Sequence, residues 1–267
     1  LDGDGDIDFV QVYSAGAFKA DASTLALLDF EGGTDGATVV DLSTANHTVT
    51  VHQDAEVKTM SKKFGQSSLY LDGAGDYISL ADSDDWHFGT DDFTIETWVN
   101  ATGSLNPILF LSNGGVDDRF QFYTFNDGIR FFYTEGGTLQ VSAATPSGSF
   151  QTSTWTHIAL VRKSGNWSLY VDGVAQTLSF SAGSQGSGSN MQNFTGALHI
   201  GQQDPGTAQY ATGYFDEFRI SKVARYTESF KPILSRNLAW QQNNGSQSFE
   251  RIPFANTERS GLRVTDM

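Results

Sequence analysis

Residues 155–173 read WTHIALVRKSGNWSLYVDG. In an extended chain successive side chains point to opposite faces. Trp155, His157, Ala159 and Val161 therefore share one face, and Thr156, Ile158, Leu160 and Arg162 share the other. Both faces are largely apolar, which is the pattern of a strand covered on both sides. On such a strand His157 reads as a satisfied core histidine rather than a ligand. Farther on, Leu169 and Val171 alternate inward, and Asp172-Gly173 supplies the left-handed backbone of a two-residue hairpin turn.

The same grammar extends in both directions. Helical periodicity is nearly absent. Fourteen short runs alternate or stay apolar between Gly, Asn, Asp and Ser turns: TLALLDFEG, HTVTVHQ, SSLYLDG, DYISLA, FTIETWVNA, PILFLSN, RFQFYTF, GIRFFYTE, LQVSAA, WTHIALVRK, WSLYVDG, VAQTLSF, ALHIGQ and YFDEFRIS. A second tight turn is signalled at Asn126-Asp127-Gly128, and SAGSQGSGSN (181–190) has the composition of a flexible loop. With 28 glycines and 20 phenylalanines in 267 residues, the chain suits a large sheet protein with many turns. The expected fold is all-β, a two-sheet antiparallel jelly-roll sandwich.

The ends differ from this body. Residues 1–24 form a prelude in which Asp2, Asp4, Asp6 and Asp8 recur at period two. An EF-hand loop needs Gly at its sixth position and Glu at its twelfth. Here those positions hold Ile7 and Tyr13, so a solvated strand end is the plainer reading. Residues 25–232 make the body. Residues 233–267 carry Arg236, Arg251, Arg259 and Arg263 against Glu250, Glu258 and Asp266, a net +1 on a chain whose total is −15. A basic tail on an acidic body reads as an assembly arm or as a segment that packs on its own body. The chain opens on Leu1 without a signal-like segment, which implies processing or a longer parent.

The acidic balance argues against a nucleic-acid partner and leaves carboxylates for hard cations. There is no cysteine, hence no disulfide frame or thiolate metal site. No apolar run is long enough to insert into a membrane as a helix.

Five segments occur in a family's order: LDGAGDYISL (71–80), DDFTIETWVN (91–100), STWTHIALVRKSGNWSLYVDGVAQ (153–176), ALHIGQ (197–202) and YFDEFRISKVARYTESFKP (214–232). Together they resemble the laminin-G-like, concanavalin-A-like jelly rolls over residues 25–232. The phrases DSDDWHFGTDDFTIETWV and RISKVARYTESF look most like modules of marine phage structural proteins, on tail fibres or other virion surfaces. The resemblance implies a surface or extracellular module that recognises a glycan or a host-surface receptor, with other virion subunits or copies of itself as partners. The alternative is a decoration subunit of a capsid, fibre or filament without a glycan ligand.

The resemblance also implies one structural calcium where the first and last strands of the body meet. The matching residues are Glu31 and Asp216, with Asp41 and Asp76 as additions. In FDEFRIS strict alternation puts Asp216 on one face with Phe218 and Ile220, where a carboxylate needs a partner. For a ligand, the loops at the sandwich ends offer aromatic and amide groups suited to sugars: Asp117 and Asp118, Asn126, and the stretch with Gln202, Gln203, Asp204 and Tyr210.

Glycan-active enzymes use this sandwich too, and a glycosidase needs two carboxylates flanking the cleaved bond. Glu96 stands alone in its strand and Asp117-Asp118 is a turn pair. The five histidines at 47, 52, 87, 157 and 199 form no zinc spacing, and no nucleophile elbow occurs. The sequence therefore reads as non-catalytic.

Overall fold

The computed structural model describes residues 9–12, 17–36, 38–203, 209–233 and 239–242. The Asp2–Asp8 run, Asp204 and most of the tail lie outside them. The chain divides into two units, Ala15–Leu234 and Leu1–Ser14 with Ser235–Met267. In the smaller unit β1 (Phe9–Val12) and β20 (Ala239–Gln242) form an antiparallel pair, Phe9 opposite Gln242 and Val12 opposite Ala239.

The larger unit is a sandwich of two eight-stranded antiparallel sheets. Sheet I runs β14 (Val174–Ala175), β13 (Asn166–Val171), β12 (Thr156–Lys163), β7 (Phe93–Ala101), β19 (Thr212–Ser221), β5 (Ser68–Asp72) and β4 (Glu56–Lys58), with β2 (Thr24–Leu28) also on β19. Sheet II runs β15 (Ser179–Ala182), β11 (Thr138–Ala144), β10 (Gly128–Glu135), β9 (Arg119–Phe125), β8 (Leu105–Ser112), β16 (Leu198–Ile200), β6 (Tyr77–Leu80) and β3 (Val49–His52). A small hairpin of β17 (Gln202–Gln203) and β18 (Gln209–Tyr210) contacts β8. The all-β sandwich expected from the alternation is the fold.

The core lies between the sheets, where Ile95, Ile158, Leu160, Leu169, Phe218 and Ile220 from sheet I meet Leu109, Phe120, Phe122, Phe131 and Ile200 from sheet II. Strand β12 is buried on both faces, as its sequence requires. Ile158 and Leu160 enter this core, while Ala159 and Val161 pack outward under Tyr226 and Phe230. Phe18, Leu27, Phe64 and Trp98 form a second outer cluster. Arg162 is fully buried and donates from Nη2 to the carbonyls of Phe88, Gly89 and Asp91 at 2.8, 2.9 and 2.6 Å. Burial pushes its pKa down to about 10, still a cation at neutral pH.

Local differences from the sequence reading have physical causes. The run VAQTLSF is two strands: β14 stays on sheet I, and the chain then crosses to β15 on sheet II. Segment 181–190 is tied down rather than loose. Gln185 Oε1 accepts from the Trp167 amide at 2.7 Å, and Trp167 Nε1 donates to the Ser187 carbonyl at 2.8 Å. Asp172 and Gly173 have φ of 46° and 74°, the pair of left-handed residues that a type I′ hairpin demands.

The largest correction concerns β19. Its pairing with β7 shifts between Asp216 and Arg219, so Asp216 faces Trp98 while Arg219 faces Glu96. Glu217 is the extra residue, in the left-handed region at φ 54°. The bulge reverses the alternation. Phe218 and Ile220 point into the core, whereas Asp216 points to the outer side of sheet I, where the amides of Lys63 and Phe64 meet it. The bulge sits where β19 exchanges one neighbour for another: β5 pairs with Thr212–Phe215 and β2 with Phe218–Ser221.

Candidate functional site

The outer face of sheet I holds a charged network. Glu96 is completely buried on β7. Its Oε1 accepts from Arg219 Nε and Nη2 at 2.9 and 2.6 Å. Its Oε2 accepts from His157 Nε2 at 3.1 Å and Tyr226 Oη at 2.7 Å. Burial alone would raise this carboxyl, but His157 and Arg219 outweigh it and bring the pKa down to about 2. Glu217 accepts from the amides of Ala17 and Phe18. Arg225 forks onto Asp21 at 3.0 and 2.9 Å and lies 4.0 Å from Glu96. These contacts bind residues 17–24 and 222–230 to the sheet. The carboxylate that stands alone in sequence is thus the hub that holds the entry and exit segments of the sandwich. His157 is a core histidine as expected, although its Nδ1 has no hydrogen-bond partner.

The four residues proposed for calcium separate into two kinds. Asp41 accepts from the amides of Leu27, Ser43 and His47, from Ser43 Oγ and from His47 Nδ1, all at 2.7–2.9 Å. Burial raises its pKa, but these donors outweigh it and hold the group below its usual range. Asp76 accepts from the amides of Asp54 and Asp72, one on each oxygen. Both serve their own loops. Asp216 and Glu31 are electrostatic neighbours. Asp216 is 0% exposed; its Oδ2 takes two amides at 2.9 Å and its Oδ1 has no partner among the described residues. Burial, with the nearby charges of Glu217 and Glu31, raises its pKa well above the ordinary value. Glu31 Oε2 accepts from the Gln66 amide at 2.8 Å. No three His, Asp or Glu side chains gather as a metal cluster among the described residues.

The outer face of sheet II is built differently. His52, Tyr77, His199, Phe110, Gln121, Tyr123 and Phe132 point away from the core. Tyr77 stacks on His52 at 3.9 Å and 4°, and lies 6.4 Å from Tyr210 at 29°. His199 continues the row at 5.1 Å from Tyr77 and 5.9 Å from Phe110. Burial lowers the His199 pKa to about 4, so its imidazole is neutral at physiological pH. Gln203 Nε2 donates to Gln121 Oε1 at 3.0 Å. Among the described residues Gln121 Nε2 is buried without a hydrogen-bond partner, and the Gln202 amide and His199 imidazole meet each other in a contact that leaves Gln202 Oε1 and His199 Nδ1 without a well-formed hydrogen bond. A buried polar atom without a partner costs about 1–3 kcal/mol.

The candidate ligand residues do not share one place. Gln202, Gln203 and Tyr210 join this face. Asp117 and Asp118 precede β9 and tie to the β10–β11 turn, where the Asp118 carboxylate accepts from the Gly136 amide at 2.7 Å. Asn126 follows β9, at the opposite end of a strand of seven residues, roughly 20 Å away. It borders an open hollow of about 530 Å³ with Thr102, Ser104, Asp127, Phe150, Gln151 and Thr152. Two end loops and a sheet face are therefore three locations. Sequence reading missed Tyr77, Gln121 and His199, whose strands pack on both faces and look like core.

A laminin-G-type family model, described as the Concanavalin A-like lectin/glucanases superfamily, matches residues 72–229. Similar solved structures include the binding domain of Paraclostridial Mosquitocidal Protein 1, with TM-score 0.57, 13% identity and coverage of 76% of this chain and 50% of that one. The receptor binding domain of botulinum neurotoxin C/D mosaic serotype gives 0.54, 14%, 76% and 49%. The botulinum neurotoxin serotype G binding domain gives 0.53, 14%, 76% and 48%. The chain thus spans about half the length of these structures, and at such identities the likeness is one of fold. No curated protein matches.

Proposed function

We infer a non-catalytic recognition module, starting from the premise that the chain belongs to the Concanavalin A-like lectin/glucanases superfamily. The observation that carries this reading is the outer face of sheet II, where the Gln121 amide, unpartnered at Nε2 among the described residues, and the neutral His199 imidazole lie among Tyr77, Phe110 and Tyr210. Sugars present apolar ring faces and a rim of hydroxyls, and this face offers the complement of both. The use of a similar fold in toxin receptor-binding domains supports recognition of a host-surface receptor or its glycan. The resemblance to phage structural modules supports display on a virion or other extracellular assembly. No helix among the described residues is long and apolar enough to cross a membrane.

Glycan-array binding tests the reading. Retention of the protein by specific saccharides, lost in Tyr210→Ala without a change in melting, supports it; no retention by any saccharide overturns it. The alternative, a decoration subunit, draws on the pairing of β1 with β20, because a lone two-stranded sheet is marginal and gains from neighbours. That reading expects homo-oligomers that dissociate on truncation after Leu234, measured as solution mass.

A structural calcium belongs to the same proposal. Glu31 and Asp216 would hold it, with backbone carbonyls and water completing the usual ~6–8 oxygens. The partnerless Asp216 Oδ1 supports the assignment, whereas Asp41 already takes five hydrogen bonds and each oxygen of Asp76 takes one amide. Chelator should lower the melting temperature, and Asp216→Ala should abolish that sensitivity. An unchanged melting curve on chelation removes calcium from the account.

A further inference from the structure

Toward β10 the recognition face changes character. Gln121 pairs across strands with Phe132, and Tyr123 pairs with Arg130. Phe132 and Arg130 are half-buried, and Phe125 is 38% exposed. The Arg130 guanidinium lies 5.0 Å from the Phe125 ring, and that of Arg119 lies 5.0 Å from Phe132. Tyr123 and Phe132 meet edge to face at 6.1 Å. Across from Arg130 and Phe132 stand Ala144 and Ser142, side chains too small to cover the rings. The nearest acids in sequence are committed elsewhere: Asp118 to the Gly136 amide, Glu135 to the Tyr133 hydroxyl and Asp127 to the Ser147 hydroxyl. Arg130 makes no ion pair among the described residues, on a chain of net charge −15.

Among the described residues Arg130 meets the Tyr123 hydroxyl and a ring but no carboxylate, so its charge is not matched. Held over the Phe125 ring, its guanidinium keeps N–H donors for a planar or tetrahedral oxyanion. The neighbouring rings and the Gln121 amide select what carries that anion. We propose that this end of the face binds an acidic saccharide, with Arg130 on the carboxylate or sulfate and the sugar ring against Phe132 and Tyr123. The proposal rests on the recognition reading above and narrows its ligand class.

The test uses the full chain against immobilised polygalacturonate, dextran sulfate, an array of neutral oligosaccharides, and poly-glutamate. Acidic polysaccharide should bind at least about tenfold more tightly than neutral sugars or poly-glutamate, and the binding should weaken with salt. Whichever of the carboxylated and sulfated polymers binds identifies the acid group. Arg130→Gln should cost about tenfold or more with an unchanged melting curve. Phe132→Ala should weaken binding of the same probe. Equal affinities for wild type and Arg130→Gln overturn the proposal, as does equal retention on poly-glutamate, which has charge but no sugar. Binding of neutral sugars alone overturns it while leaving the recognition module standing. No saccharide binding of any kind overturns both.

Discussion

The outer faces of the two sheets use polar residues in opposite ways. On sheet I, Glu96 is surrounded by Arg219, His157 and Tyr226, and the chain's own entry and exit segments close over it. On sheet II, among the described residues, Gln121 Nε2 is buried without a partner and Arg130 meets no carboxylate. Sheet I spends its charged groups on holding the fold, although Trp98 Nε1, His157 Nδ1 and Asp216 Oδ1 there also lack partners among the described residues. Sheet II instead carries an arginine that meets no carboxylate among the described residues, beside half-buried and exposed rings. The proposed recognition thus falls on one face and stability on the other, and each assignment can be broken.

The largest effect is expected at Glu96. Removing one member of a buried ion pair strands the other and costs about 3–5 kcal/mol. Glu96→Gln should lower denaturant stability by that order; a loss below 1 kcal/mol would show that sheet I is not held by this hub. The pH dependence follows from the same group. A carboxyl whose folded pKa is depressed contributes stability above its unfolded value, and loses it as the pH falls toward the folded one. For Glu96 that window runs from 4.5 to about 2. Its contribution, of order 3 kcal/mol at 1.36 kcal/mol per unit, should disappear on acidification through that range. In Glu96→Gln the acid limb of the stability curve should flatten.

A smaller loss is expected at Gly173, where the exit segment crosses the β13–β14 turn. A Cβ there would lie 2.1 Å from the Phe230 carbonyl oxygen, and the residue has φ 74°. The Phe230 amide also donates to the Gly173 carbonyl at 2.8 Å. Gly173→Ala should cost about 1–3 kcal/mol and expose Tyr170 and Tyr226 to solvent, read by denaturation and tyrosine fluorescence. A neutral substitution would mean that the exit segment contributes little.

The contrast also separates what the sequence discloses from what it hides. Alternation with apolar residues on both faces identifies β12, β13 and the sandwich, because burial on two sides leaves few other patterns. Strand β4 escapes because Glu56-Val57-Lys58 is too short to alternate visibly. Glu96 looks solitary because its partners lie 61, 123 and 130 residues away; no local spacing can encode a hub assembled across strands and a returning segment. The bulge at Glu217 leaves no glycine to announce its positive φ, so parity assigned Asp216 to the wrong face. The aromatic and amide row on sheet II stays hidden for the converse reason. Phe110, Gln121 and His199 occupy strands so apolar that one amide or imidazole reads as a tolerated exception.

The smallest stability effect is expected where binding should suffer most. Gln121 is 2% exposed, its Nε2 has no partner, and it holds one hydrogen bond from Gln203. Gln121→Met keeps volume, removes the partnerless donor and loses that one bond. The gain from deleting an unsatisfied group and the loss of a neutral hydrogen bond are each about 1 kcal/mol and oppose one another. Net stability should therefore change by less than about 1 kcal/mol, in either direction. Saccharide retention should nonetheless fall, since the deleted donor is the one the fold does not use. A face that sacrifices stability for recognition gives this dissociation of the two readouts. If Gln121→Met instead destabilises by several kcal/mol, as Glu96→Gln is expected to, the amide row is structural glue and the two faces are alike.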